Sequence, residues 1–377
     1  MVLTTSKWLS VANTAPPSST QRRRQLALCA VAQPADPKGW RGTQANYIVP
    51  RMPNRGDFLR ARNEAFSIRL CLAPEAMKVD CSTKIIAAHL IQRRGMGLKT
   101  IAEDGNVLTP AQHTKERHIY FKEVSTASAS TFSGFCKHHD QALFMPLETT
   151  PLLPTDEQIF LQTYRSTCNE FYMKGGANIF SADVETRLMP NSDKASAYAA
   201  GVRRGLEDAL RYKTTLDTML ASGDLSRLKY IAYLFDKPPQ VFCSTGVLLD
   251  YGFQGQILQR WRPNVDAYGV TFSMIAREGG GLAVFAWVDD VPATKAFARS
   301  LLRVPIDAIP SMLVHYSFEY SENVYVSPRW RKGLAPREEE VLLSRYRSGV
   351  EESRSRIGMT MFSDVGTDWR VLEVRTK

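Results

Sequence analysis

The stretch from Cys71 to Phe144 constrains this chain more than any other, because it gathers most of the residues that bind soft metals. It contains LCLAPEAMKVDCSTKIIAAHLIQ, then LKTIAEDGNVL, then STFSGFCKHHDQALF. Three of the six cysteines (Cys71, Cys81, Cys136) lie here, with five of the six histidines (His89, His113, His118, His138, His139). Zinc takes four thiolate and imidazole ligands in a tetrahedron. Cys136-x-x-His139 has the spacing for two ligands at a helix N-terminus to meet one ion. The segment between Cys71 and Cys81 contains Pro74 and can fold those two thiols together. The expected tetrad is Cys71, Cys81, Cys136 and His139, or the same set with His89 in place of Cys71. The gap between Cys71 and Cys81 is longer than that of an ordinary zinc knuckle. Without a metal, the three cysteines would pack as small hydrophobic side chains.

At 377 residues the chain exceeds what one hydrophobic core usually serves, so two units are expected. A hydrophobic content of 44% with 23% charged residues fits a globular protein. No run of eighteen apolar residues occurs, which excludes a membrane-spanning helix and a membrane partner of that kind. Few cysteines, clustered with histidines, favour reduced thiols over a disulfide framework, and with them a cytoplasmic location. The net charge of +10 suits a polyanionic partner such as nucleic acid, and equally suits simple solubility. Residues 1–50 are rich in Ser, Thr, Pro and Gln, with Arg22, Arg23 and Arg24 before a short apolar run. They read as a disordered basic arm rather than an export signal, with Cys29 a bystander.

The fold class expected is α+β. A small zinc-binding module over 57–150 precedes a unit over 154–377 made of helical hairpins and then a mostly antiparallel sheet. Within the module, Lys84–Leu90 reads as a strand ending near His89. Asp104-Gly105 marks a turn, and a strand begins at Val107. Residues 109–130 read as a loop, and a helix starts at Ser133 or Gly134. Thr155 with Gln158 has the pattern of a helix start, and helical spacing runs from Pro154 to Phe235. From Pro238 the period is two. Strands are expected at Val241–Cys243, Val247–Tyr251, Ala267–Ala276, Leu282–Val288, Met312–Tyr320 and Val324–Val326. Gly279-Gly280-Gly281 reads as a hairpin turn, Ala293–Leu302 as a helix, and Pro336–Arg356 as a charged helix before a last strand. Glu319 and Glu322 then fall near one strand end on opposite faces, which gives no acid–base pair. No P-loop, nucleophile elbow or dinucleotide fingerprint occurs in this half.

IIAAHLIQ at 85–92 and FCKHHDQALF at 135–144 resemble the HNH, or ββα-metal, treble-clef family. The pattern is also similar to uncharacterised bacterial proteins. The resemblance implies a metal-dependent nuclease acting on DNA or RNA, or a descendant of one, of the kind found in phage defence or mobile DNA. It implies that His89 is the general base taking a proton from water. Asn106 would orient that base, and Asp140 with His138 nearby would hold a catalytic Mg or Mn ion. Cys71, Cys81, Cys136 and His139 would hold structural zinc. Ala88 stands where relatives often carry a metal-binding Asp or His, and Cys-x-x-His replaces the usual Cys-x-x-Cys. Arg93, Arg94 and Lys99, close to His89, are placed to contact phosphates, although paired basic residues are often only a solvated face. His113 and His118 are expected at the surface and His315 in the structure's interior. Trp330 among Arg329, Arg331 and Lys332 reads as an anchor for the C-terminal helix in preference to a stacking platform. The alternative is a non-enzymatic protein, with a structural zinc module and a C-terminal unit that binds protein or nucleic acid.

Overall fold

The computed structural model of the chain describes residues 53–113, 118–148, 152–260, 265–348 and 365–377. The expected basic arm, with Arg22–Arg24 and Cys29, lies outside the described residues, and so does the charged helix beyond Ser348. Asn54 starts helix α1 (Arg55–Ala65) through a reciprocal cap: its side chain accepts the Asp57 N–H, and the Asp57 carboxylate accepts the Asn54 N–H. A short 3-10 helix over Glu75–Asp80 separates Cys71 from Cys81. Strand β1 (Ile85–His89) follows, ending at His89 as its β-prone sequence suggests. Asp104 and Gly105 both have positive φ and form the turn into β2 (Asn106–Gln112).

Strand β3 (Ile119–Ser125) pairs with β2 in register across its length, so the expected loop over 109–130 contains a hairpin. Strand β4 (Thr131–Cys136) pairs antiparallel with β1, joining Ile85 to Cys136 and His89 to Thr131. Ser133 and Gly134 therefore lie in a strand, not at a helix start. On the other edge of β4, Leu70 N–H donates to the Ser133 carbonyl and Leu72 N–H to the Gly134 carbonyl. Backbone pairing on both edges overrides the local preference of Ser and Gly for helix starts and turns. Helix α2 (Lys137–Glu148) begins directly after Cys136.

Helix α3 (Asp156–Asp183) starts where expected, with Thr155 Oγ1 accepting the Gln158 N–H. Helix α4 (Asp193–Ser222) is capped by Ser192 and packs along α3. The helical reading of Asp224–Phe235 gives way to strand β5 (Leu228–Phe235). Then come β6 (Val241–Leu248), β7 (Gly269–Arg277) and β8 (Gly280–Val288), and α5 (Pro292–Leu301). The expected strand over Met312–Tyr320 is helix α6 (Ile309–Tyr320). Strand β9 (Val324–Val326), α7 (Pro328–Gly333), α8 (Pro336–Ser348) and β10 (Val371–Thr376) complete the described elements.

The strands form an antiparallel pair, β1–β4, and an eight-stranded sheet in the order β10-β5-β8-β7-β6-β9-β2-β3. The fold is thus a mixture of helix and antiparallel sheet. The β2–β3 hairpin, inserted between the two strands of the small sheet, is the far edge of the large one. Both faces of the large sheet are covered. Tyr230, Ala232 and Leu234 of β5 face a core shared with α3, α4 and the Cys/His segment. Ile231, Tyr233 and Phe235 face the opposite core, with Phe297 of α5 and Leu313 of α6. Burial on both faces removes the polar-apolar alternation of an exposed strand, which is why β5 reads as helix. Helix α6 is buried on all sides, so it lacks a polar face and reads as a strand.

Helix α6 carries Glu319, which is 3% exposed and accepts a 2.7 Å hydrogen bond from Arg345 of α8. A buried ion pair is costly to break by removing one partner. Glu319→Ala is expected to destabilise the fold by about 3–5 kcal/mol, read from chemical denaturation midpoints. A cost below about 1 kcal/mol would show that the pair is not buried in solution.

Candidate metal centre and the polar cluster beside it

Three separate backbone segments carry the four side chains of the centre. Cys71 sits on the segment hydrogen-bonded to the outer edge of β4, and Cys81 follows the 3-10 turn, its N–H donating to the Lys78 carbonyl. Cys136 ends β4, and His139 lies in the first turn of α2. Lys137 N–H donates to the Lys84 carbonyl, which fixes the Cys81 side against the helix start.

The His139 Nδ1 atom lies 3.5 Å from Cys71 Sγ, 3.4 Å from Cys81 Sγ and 3.3 Å from Cys136 Sγ. All four ligand atoms fall within 4.8 Å of one another. In a zinc tetrahedron with ordinary bond lengths, sulfur and nitrogen ligands stand about 3.5 Å apart. The four residues therefore fit a metal ion such as zinc, with His139 ligating through Nδ1. Ionising all three thiols together would call for a cation. Burial and the adjacent Cys71 and Cys136 sulfurs raise Cys81 to about 12. Burial opposes ionisation of Cys136 too, yet hydrogen bonds from the His139 N–H and Ser82 bring it down to about 6. Crowded thiolates repel one another, and a divalent ion relieves that repulsion. The tetrad uses Cys71, and His89 stands apart from it.

His89 is half-buried at the end of β1. Its Nε2 lies 3.3 Å from the Thr126 carbonyl. A carbonyl only accepts, so Nε2 carries the proton of the neutral ring and Nδ1 keeps the lone pair. The strand end is held by Ser130. Leu90 N–H donates to its carbonyl and Ile91 N–H to its Oγ, while Ser130 N–H donates to the Tyr325 hydroxyl of β9. Burial lowers the His89 pKa below its usual 6.5, and the Arg165 and Arg93 guanidiniums lower it further. The Thr126 carbonyl and Glu148 act the other way.

Asp140 lies one residue past His139, 9% exposed, and its Oδ1 is buried without a hydrogen-bond partner. Burial raises its pKa, with Arg165 opposing and Glu148 adding to the rise. His89 and Asp140 thus share two charged neighbours. His138 is exposed, its ring meeting that of His139 edge-on at 5.2 Å between centres and its backbone N–H donating to Ser82 Oγ. Asn106 Nδ2 donates to Glu123 Oε1 at 2.6 Å across the β2–β3 hairpin.

Arg93 is half-buried, whereas Arg94 and Lys99 are exposed on a tight loop. Leu98 N–H donates to the Gln92 carbonyl and Lys99 N–H to the Arg93 carbonyl. A Cβ on Gly97 would stand 1.8 Å from the Gln92 carbonyl oxygen, so only glycine closes this turn. The Arg329–Lys332 cluster is committed elsewhere. Arg329 and Lys332 pair with Glu103 and Arg331 with Glu339, while Trp330 Nε1 donates to the Gly366 carbonyl. Trp330 thus ties α7 to the segment that leads into β10.

Sequence reading missed Arg165 and Glu148. Arg165 is 1% exposed and donates to Glu148 Oε1 at 2.7 Å. An arginine inside the otherwise weakly charged helical run IFLQTYRSTC was the available signal, because a buried charge requires a partner.

No family model, no curated protein and no solved structure matches the chain. No helix among the described residues is long and apolar enough to cross a membrane.

Two outcomes are expected from this geometry. Protein purified without chelator should carry about one zinc per chain by elemental analysis. His139→Ala and Cys136→Ser should lose that metal and melt earlier, while His138→Ala keeps it. Retention of full metal by His139→Ala would refute the tetrad. Separately, a lowered His89 pKa means the unfolded chain takes up its proton first. His89 then contributes stability above about pH 6.5 that is lost as pH falls through its folded value. In zinc-saturated protein, the drop in unfolding free energy from about pH 7.5 to about pH 5.5 should be smaller for His89→Gln than for the parent. An equal drop would place His89 in water.

Proposed function

We propose that the β1–β4 pair, the Cys71–Cys81 segment and α2 form a zinc-stabilised treble clef of the HNH kind, and that the protein is a metal-dependent phosphodiesterase acting on nucleic acid. The observation that carries this reading is the shared surroundings of His89 and Asp140. A neutral histidine and a buried, unpartnered carboxylate both lie under the influence of Arg165 and Glu148, beside a Cys3His centre. Titratable groups whose pKa values are shifted by burial and by charged neighbours in common mark functional sites more often than scattered ones.

In this reading His89 Nδ1 takes a proton from water, and the water oxygen forms a bond to phosphorus as the P–O bond to the leaving oxygen breaks. The Nε2–H bond to Thr126 holds the ring in the tautomer this requires. The unpartnered oxygen of Asp140 suits a divalent ion such as Mg or Mn, which when bound would stabilise the charge on the leaving oxygen. Arg93, Arg94 and Lys99 contact the backbone phosphates. The orienting role implied for Asn106 passes to the Thr126 carbonyl, since the Asn106 amide is engaged with Glu123.

A second reading has one observation in its favour. Asp140 is almost wholly buried, as in a module that is structural only, with its neighbours serving a non-enzymatic binding protein. One experiment separates the two. With added magnesium or manganese, the zinc-loaded parent should cleave single- or double-stranded nucleic acid. His89→Ala should abolish cleavage, by about 100-fold or more, with zinc content and melting temperature close to the parent's. Absence of cleavage by the folded, zinc-loaded parent under all these conditions would leave only the binding reading.

A further inference from the structure

The surroundings of His89 hold more unsatisfied donors than a structural contact needs. Arg165 lies 1% exposed with its guanidinium 4.0 Å from the centre of the Phe144 ring. One terminal nitrogen donates to Glu148, but the buried Nε has no partner. The buried Nε of Arg93 has none either. An unpaired buried donor is costly, and a ligand with acceptor oxygens would recover that cost. The charges of both guanidiniums act on His89. They approach from different elements, Arg93 from the loop after β1 and Arg165 from α3. Glu148 comes from the last turn of α2, and its side chain is 37% exposed. Gln92 Nε2 donates to the Glu148 carbonyl and ties the Arg93 loop to that turn.

We infer that Arg93 and Arg165 together form a binding site for a tetrahedral oxyanion, the phosphate of a phosphodiester, with Glu148 holding the Arg165 guanidinium in place until the anion enters. This assignment deepens the phosphodiesterase reading and rests on it for the source of the phosphate. Arg165 and Glu148 both lie outside the stretch 71–144 that carries the HNH resemblance. Guanidinium is the side chain suited to this task, because its planar fork matches the spacing of phosphate oxygens. Stacking on Phe144 fixes the plane of that fork in advance, so little freedom is lost on binding. Glu148 neutralises the buried charge while the site is empty of anion, and its exposed position lets solvent and ligand reach it. Asp140 adds a second carboxylate to the same surroundings, so an anion is held at the arginine end of the cluster.

The test uses the full chain loaded with zinc and titrated calorimetrically with inorganic phosphate, then with a short phosphodiester such as a dinucleotide. Saturable binding of phosphate is expected. Arg165→Gln and Arg93→Gln should each weaken it at least about tenfold, in line with the loss of a charge-assisted hydrogen bond. Glu148→Gln should tighten it several-fold by removing the competing carboxylate. Zinc content and melting temperature check the fold of each variant. If Arg165→Gln fails to fold, Arg93→Gln and Glu148→Gln decide the matter. No saturable phosphate binding to the parent, or equal affinity in the folded arginine variants, would overturn the site. Tighter binding of the dinucleotide than of phosphate assigns the source to nucleic acid. Equal or weaker binding assigns it to free phosphate and removes the phosphodiester from the proposal. Arginine-dependent binding of the dinucleotide without cleavage would retain the oxyanion site and discard hydrolysis.

Discussion

Helix α3 is buried along most of its length, and that burial is tolerable because many of its polar side chains find partners on the elements around it. Gln162 Nε2 donates to Ser244 of β6, and Ser244 continues to Ser273 of β7. Thr271 Oγ1 donates to Thr163. On the other side, the Tyr164 hydroxyl donates to Asp217 of α4 at 2.7 Å and lies 3.2 Å from the Leu72 carbonyl. Arg165 reaches Glu148 of α2. An apolar helix of this length would slide or rotate against a sheet at little cost. These directional bonds fix which face meets the sheet and which meets the Cys/His segment.

The metal ligands inherit their positions from the same contacts. Leu72, next to Cys71, is fixed by Tyr164 on one side and by β4 on the other. Cys136 and His139 are fixed by the strand-to-helix junction. Thiols from three segments meet at a spacing set by backbone pairing, and a cation bound there would balance their charge. Supporting contacts of this kind decide how tightly and how uniformly a metal is held.

Much of the site is legible in the sequence, and the reason is chemical. Cys and His announce a metal centre by type, and spacing restricts which can meet. The strand ending at His89 and the Asp104-Gly105 turn follow from β-branched residues and from a dipeptide that tolerates positive φ. The cap at Thr155 follows from its hydroxyl. Strand β5 and helix α6 mislead for one shared reason: both are covered on all sides, so their sequences lack the polar positions that reveal a period. Ser133 and Gly134 mislead because their strand is imposed by two neighbours far apart in sequence. Arg165 and Glu148 carry no role that sequence alone can assign, because their pairing depends on how α2 lies against α3.

The topology adds a constraint on how this site forms. The chain leaves the β1–β4 pair after His89, builds the β2–β3 hairpin into the far edge of the large sheet, and returns at Thr131. Ser130, at the point of return, is held by Tyr325 of β9, which also pairs with Phe242 of β6. Closing β1 on β4 therefore depends on a sheet assembled largely from residues after 228. Cys136 and His139 sit just past that closure, and His89 at its other end. The Cys/His centre and the sheet are thus coupled through the backbone around Ser130 as well as through α3. Without the Tyr325 hydroxyl, the strand end that carries His89 would loosen, even though the two residues stand far apart in the sequence.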